Sequence, residues 1–127
     1  MRLLKMLLVL FVCAASPVSA GPFADGRAAY DRGDYATALR LWRPLADQGN
    51  PAAQYNLGGM YASSRGVSQG VPHDLVQAYK WFSLAASRAQ KNDLREAAIK
   101  ARDLVATAMT PARIAEAQKL AREWKPR

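Results

Sequence analysis

Asp34-Tyr-Ala-Thr-Ala38-Leu-Arg-Leu-Trp42 and Asp74-Leu-Val-Gln-Ala78-Tyr-Lys-Trp81-Phe82 are one helix written twice, at an offset of forty. Each begins with Asp, carries Ala four residues later and a large aromatic four beyond that. A small residue, Ala46 or Ala86, follows four further on. Self-similarity at such a period marks units that cannot bury their apolar faces alone and do so by stacking on their neighbours. The fold class this implies is all-α, an α-solenoid of about three helical hairpins. Alternating apolar and polar runs of the kind that make strands do not occur, whereas spacings of three and four recur throughout. Such a chain reads as a binding scaffold before any other residue is considered.

Helix boundaries follow from caps and breakers. Phe23 to Arg32 reads as a first helix, ended by Gly33, and Asp34 caps a second helix to about Asp47 with Gly49 as its terminator. Pro44 lies inside that helix and should bend or tighten it. Asn50-Pro51 opens a third helix to about Ser63, and the run from Ser64 to Pro72 is a loop by its glycines and proline. Asp74 caps the fourth helix, with Gln77 completing a capping-box pattern. Asn92 or Asp93 opens a fifth to about Ala108, its apolar face being Leu94, Ala97, Ala98, Ala101, Leu104 and Val105. Thr110-Pro111 starts a sixth, whose buried stripe is Ile114, Ala117, Leu120, Ala121 and Trp124. The hairpins fall at residues 23–49, 51–89 and 92–124.

The repeated positions have packing reasons. Ala38 and Ala78 are small where two helices cross, and Trp42, Trp81 and Phe82 fill the space between hairpins. Tyr35 and Trp124 join that core by their helical spacing. The hydroxyls of Tyr30, Tyr55 and Tyr79 suit the edge of a groove. Gly26 and Gly58 lack a side chain where a helix is closely approached. The interval from Gly26 to Gly58 is shorter by eight positions than the interval from Asp34 to Asp74. The difference falls in the turn after Tyr61, so the second hairpin has the longer connection.

Residues 1–20 form a separate unit. Arg2 and Lys5 give a positive start, Met6 to Ala15 form a short apolar run, and Pro17-Val18-Ser19-Ala20 offers small residues at a cleavage position. This unit is expected to be a signal peptide, and residues 21–127 the folded domain. The apolar run is well short of the ~20 residues that cross a bilayer, so no transmembrane segment should remain after cleavage. Cys13 would leave with the leader, and Val12 stands before it where a lipoprotein has a small residue. An exported domain without cysteine rests on helix packing alone, which suits the periplasm or secretion. Losing Arg2 and Lys5 from 18 basic side chains leaves 16 against 10 acidic, a net charge of about +6. After export such a charge points to anionic envelope polymers, lipid headgroups or an acidic protein rather than to nucleic acid.

Ala53-Gln-Tyr55-Asn-Leu57-Gly58-Gly-Met60-Tyr61, followed by Gly66-Val67, Asp74, Ala78, Trp81 and Ala85-Ala86, resembles the Sel-one-like repeat, a branch of the tetratricopeptide-like superfamily whose hairpin turn carries an extra loop. Residues 23–49 resemble the plainer tetratricopeptide form through Gly26, Gly33-Asp34-Tyr35, Ala38 and Trp42. Residues 92–124 lack the Leu-Gly and Tyr positions and look like a terminal cap. The resemblance implies an α-solenoid that binds protein or peptide partners, with no cofactor and no chemistry of its own. It places the partner-binding face on the first helix of each hairpin, at Arg27, Tyr30 and Asp31 and at Tyr55, Gly59 and Ser63. Gly59 would let a ligand backbone approach closely. The exposed, flexible Gly66 to Val71 loop is a second candidate surface.

The residues themselves offer little to an enzyme. His73 is the single histidine, so no histidine pair serves a metal or a base, and beside a helix cap it reads as a solvated loop residue. Ser63, Ser64, Ser68, Ser83 and Ser87 have no activating partner near them in sequence. A helical cell-wall hydrolase would need one of Glu96, Glu116 and Glu123 as its acid. All three fall on polar helix faces, and Glu96 stands four before Lys100, a spacing that supports a helix. Arg88, Lys91, Arg95, Lys100 and Arg102 form the densest basic stretch, diluted by Asp93, Glu96 and Asp103. That stretch is either a solvated face or the binding surface for an anionic envelope polymer or membrane. Polymer or membrane binding at that stretch should weaken steeply between low and physiological ionic strength, whereas partner binding in a groove should largely persist.

Overall fold

A computed structural model describes residues 19–127. The expected leader therefore lies outside the described residues except for Ser19 and Ala20. Six helices follow in order: α1 Pro22–Asp31, α2 Tyr35–Asp47, α3 Pro51–Ala62, α4 Leu75–Arg88, α5 Asn92–Ala106 and α6 Pro111–Glu123. A single 3-10 turn, Val67–Gln69, stands in the long connection between α3 and α4. No strand occurs among the described residues, and no helix among them is long and apolar enough to cross a membrane.

Local chemistry explains the starts and stops. The side chains of Asp34, Asn50, Asp74 and Thr110 accept from the backbone N–H of Thr37, Ala53, Gln77 and Arg113 at 3.0–3.2 Å, each satisfying an otherwise free first-turn donor. The capping box at Asp74 is half formed, because the Asp74 N–H goes to the Tyr61 carbonyl at 2.9 Å instead of to Gln77. Helix α5 has no side-chain cap; Asp93 instead accepts from the Leu94 N–H. Gly33 and Gly49 end the first two helices at φ +81° and +99°, a region that side chains with a Cβ avoid. Helix α2 runs on through the exposed Pro44 to Asp47.

Consecutive helices α1 to α5 pack in order, each on the next. The core between them is built from the repeated residues. Ala38, Ala46, Ala78 and Trp81 are fully buried, and Trp42 and Phe82 retain only 2% and 4% of their surface. Gly26 and Gly58 each admit a ring. A Cβ on Gly26 would lie 2.3 Å from Trp42 Nε1, and one on Gly58 would lie 2.6 Å from the Phe82 ring. Trp42 and Phe82 are thus the equivalent fillers of the two units, each seated against the first helix of its own hairpin rather than in the space between hairpins as expected from the sequence. Gln54, fully buried, donates to the Ala46 carbonyl at 3.1 Å and ties α3 to the end of α2.

The third hairpin is splayed. Helices α5 and α6 each pack on α4 far more than on one another. Two sequence expectations fail for this reason. Leu104, expected in the buried face of α5, is 72% exposed because α6 does not cover it, while Ala98 and Val105 turn inward. Tyr79, expected at a groove edge, is buried beneath α6, its hydroxyl accepting from Gln118 at 3.3 Å. In α6 the stripe forms as read: Ala117 is buried and Ile114, Leu120, Ala121 and Trp124 pack against the core. The expected helix-supporting pair of Glu96 and Lys100 does not close, whereas Glu116 and Glu123 pair with Arg113 and Lys119.

The extended turn of the second hairpin is pinned to the first. The Gln69 amide accepts from the Ala36 N–H at 3.1 Å and donates to the Gly33 carbonyl at 2.8 Å. Val71 is buried, and a Cβ on Gly66 would strike it at 2.7 Å. The loop is exposed from Val67 to Gly70 as expected, and these bonds also make it a clamp between units, with Val67 as its exposed apolar residue.

Candidate binding groove

Helix α3 contains no charged residue, and its two sides do different work. Ala53, Gln54, Leu57, Gly58, Met60 and Tyr61 are buried against α2 and α4. The opposite stripe, Ala52, Asn56, Gly59 and Ser63, advances by four, three and four residues and so stays on one side of a 3.6-residue helix. Beside it, Tyr55 leans on Phe82, with ring centroids 5.5 Å apart.

Between α1 and α3 this arrangement opens a recess of about 270 Å³, lined by Arg27, Tyr30, Trp42, Tyr55, Asn56, Gly59 and Phe82. Its floor is aromatic. Trp42 is fixed by its Nε1–H donating to the Phe23 carbonyl at 3.0 Å, and its ring lies 5.9 Å from Tyr30 and 6.2 Å from Phe23. Apart from Arg27, which pairs with Asp31, the polar groups at the rim are unspent. Among the described residues the Asn56 amide and the Tyr30 and Tyr55 hydroxyls make no hydrogen bond to protein, so each is free to meet a ligand.

The six expected partner-binding residues separate into three groups. Arg27, Tyr30, Tyr55 and Gly59 come together in this recess. Ser63 lines a small adjoining hollow with Tyr30, Tyr35 and Met60. Asp31 does not reach the floor; it pairs with Arg27 at 3.2 Å on the exposed face of α1 and so orients that guanidinium. Asn56 escapes the sequence reading, although it stands three before Gly59 and seven before Ser63, on their own stripe. Trp42 and Phe82, read as core alone, are core residues whose edges also floor the groove.

Gly59 differs in kind from its neighbour. Around Gly58 a Cβ would strike Phe82, but around Gly59 nothing lies within 4 Å. The repeat register that relates Gly26 to Gly58 also relates Arg27 to Gly59. One unit therefore offers a long cation where the other offers bare backbone.

Outside the groove, Lys80 is half-buried on α4 with its Nζ 4.2 Å from the Trp81 ring centroid. Burial, reinforced by the Arg43 guanidinium, pulls its pKa from 10.5 down to about 8. Below pH 8 the amine is charged in both folded and unfolded chains, and the folded state bears the whole cost of burying it. Between about pH 8 and 10.5 the unfolded chain binds more protons, so this group makes stability rise with pH. Lys80→Met is expected to be more stable than the wild type at pH 7, with the advantage shrinking by pH 10. Urea midpoints at the two pH values check this, and an advantage independent of pH would contradict it.

The architecture defines a class: an α-solenoid of helical hairpins presenting a shallow groove along its first helices. The Sel1 repeat family model matches residues 24–50 and 51–89, just over half of the chain, and the chain belongs to that family. The first unit, read from sequence as the plainer tetratricopeptide form, is matched by the same model as the second. Comparison with curated proteins found no match, and comparison with solved structures found none either. Sel1 repeats are typically protein-interaction modules and generally carry no catalysis.

Proposed function

We propose that the chain is an exported, non-enzymatic adaptor, periplasmic or secreted, that holds an extended segment of a partner protein in the groove between α1 and α3. Gly59 carries this reading. A glycine inside a helix costs about 1 kcal/mol relative to alanine, and here no neighbouring atom demands it. A stripe kept bare for a ligand backbone accounts for that cost. The recess, of about 270 Å³, has room for a side chain of such a segment. Free amide and hydroxyl groups at the rim suit the N–H and C=O groups of an extended chain.

The test uses peptides selected from a random displayed library on the folded protein. Gly59→Leu is expected to leave stability unchanged or raised and to weaken those peptides about tenfold or more. Peptides that bind Gly59→Leu as tightly as the wild type would overturn the reading.

A further inference from the structure

A second and larger recess, of about 650 Å³, lies at the other end of the same α3 stripe. Its walls include Pro51, Ala52 and Leu94 on the apolar side and Asn50, Arg88 and Lys91 on the polar side. No carboxylate lines it. Six basic residues elsewhere are spent in ion pairs, but Arg88 and Lys91 have none among the described residues. Arg88 is held in place. Its Nε donates to the Gly49 carbonyl at 2.9 Å, and its guanidinium lies 5.2 Å from the Trp124 ring centroid. Its terminal Nη groups make no hydrogen bond among the described residues. The N-terminal ends of α3 and α5 and the C-terminal ends of α2 and α4 all meet near this rim, so the helix ends oppose one another and the positive charge there is that of Arg88 and Lys91.

We infer that this basic recess and the aromatic recess are two subsites for one extended segment. The segment places an Asp or Glu carboxylate beside Arg88 and Lys91, three or four residues from an aromatic or large aliphatic side chain seated against Tyr30, Tyr55 and Phe82. The inference rests on the proposed groove function and adds its ligand motif. Ala52 stands in the basic recess and Gly59 in the aromatic one. Seven residues of helix cover about 10.5 Å at 1.5 Å each, a span that about three residues of extended chain bridge at roughly 3.3 Å each. Asn56 stands between Ala52 and Gly59 on the stripe, within the lining of the aromatic recess, with its amide free for the segment's backbone. The apolar wall of Pro51, Ala52 and Leu94 favours the aliphatic stem of a Glu or a neighbouring side chain over a bare hydrated anion. The concavity favours a protruding side chain over a flat lipid surface.

Peptides selected on the folded protein provide the test. The expected result is an Asp or Glu enriched three or four positions from an aromatic or large aliphatic residue. Ser87→Glu with Lys91→Glu adds negative charge at two positions of the recess while leaving Arg88 in its packed place. Selection on that variant is expected to lose the acidic preference and keep the apolar one, and peptides from the first selection should bind it about tenfold more weakly. Their affinity for the wild type should also fall with added salt. Apolar enrichment without a fixed acidic partner, or an acidic preference indifferent to the charge change, would overturn the two-subsite inference while leaving the groove intact. Vesicles of phosphatidylglycerol that bind with the same dependence on Ser87 and Lys91, without competing with peptide, would assign the basic recess to a membrane and equally overturn it. Indifference of every selected peptide to Gly59→Leu would instead remove the groove reading beneath it.

Discussion

Trp42→Ala and Phe82→Ala are each expected to destabilise the domain by ~3–5 kcal/mol. Both rings are almost wholly buried and sit in matching places, Trp42 over Gly26 and Phe82 over Gly58. Removing either leaves a void that glycine cannot help to fill, since the opposing helix offers only backbone. Trp42 also loses its hydrogen bond to Phe23, so its variant should fall toward the upper end. A small domain has only about 5–15 kcal/mol in total, so either variant is expected to melt many degrees lower. Urea denaturation measures the loss, and near-neutral values would contradict the assignment of these rings as equivalent inter-helix fillers.

Adjacent glycines of α3 are expected to respond with opposite sign. Gly58→Ala inserts a methyl 2.6 Å from the Phe82 ring, and overpacking of that kind typically costs about 1–3 kcal/mol. Gly59→Ala meets open space and should stabilise the helix by up to about 1 kcal/mol through propensity alone. Gly26→Ala, with its methyl 2.3 Å from Trp42 Nε1, should behave like Gly58→Ala. The comparison is informative because propensity, helix and chain position are nearly shared, which leaves the facing atoms to decide the sign. Equal effects at Gly58 and Gly59 would mean that the groove is not open where the structure places it.

What can be read from the residues alone is whatever is local. Asp34, Asn50, Asp74 and Thr110 announce their helices because a cap acts over three residues, and the packing glycines are visible through the repeat register. Periodicity shows which side of a helix is apolar but not whether a partner covers it. For that reason Leu104 reads as buried yet stands exposed, and Tyr79 reads as an edge residue yet lies under α6. The Gln69 clamp joins residues 33 and 36 positions apart, a pairing that no sequence spacing announces. Four of the six expected groove residues meet in the recess because they follow the repeat. Asn56 lacks a counterpart of its own type in the first unit, where Ala24 stands in register with it. The basic recess is legible only as a charge run, because its wall draws on the α2–α3 turn as well as on α4 and α5.

In the proposed function, the bare stripe of α3 receives an extended partner segment. Backbone amide chemical-shift mapping of the folded protein with a selected peptide locates that segment residue by residue. The largest shifts are expected on Ala52, Tyr55, Asn56 and Gly59, with Arg27 and Tyr30 following across the groove. Shifts gathered instead on the outer face of α6 or on the Val67–Gln69 turn, with the α3 stripe unmoved, would contradict it.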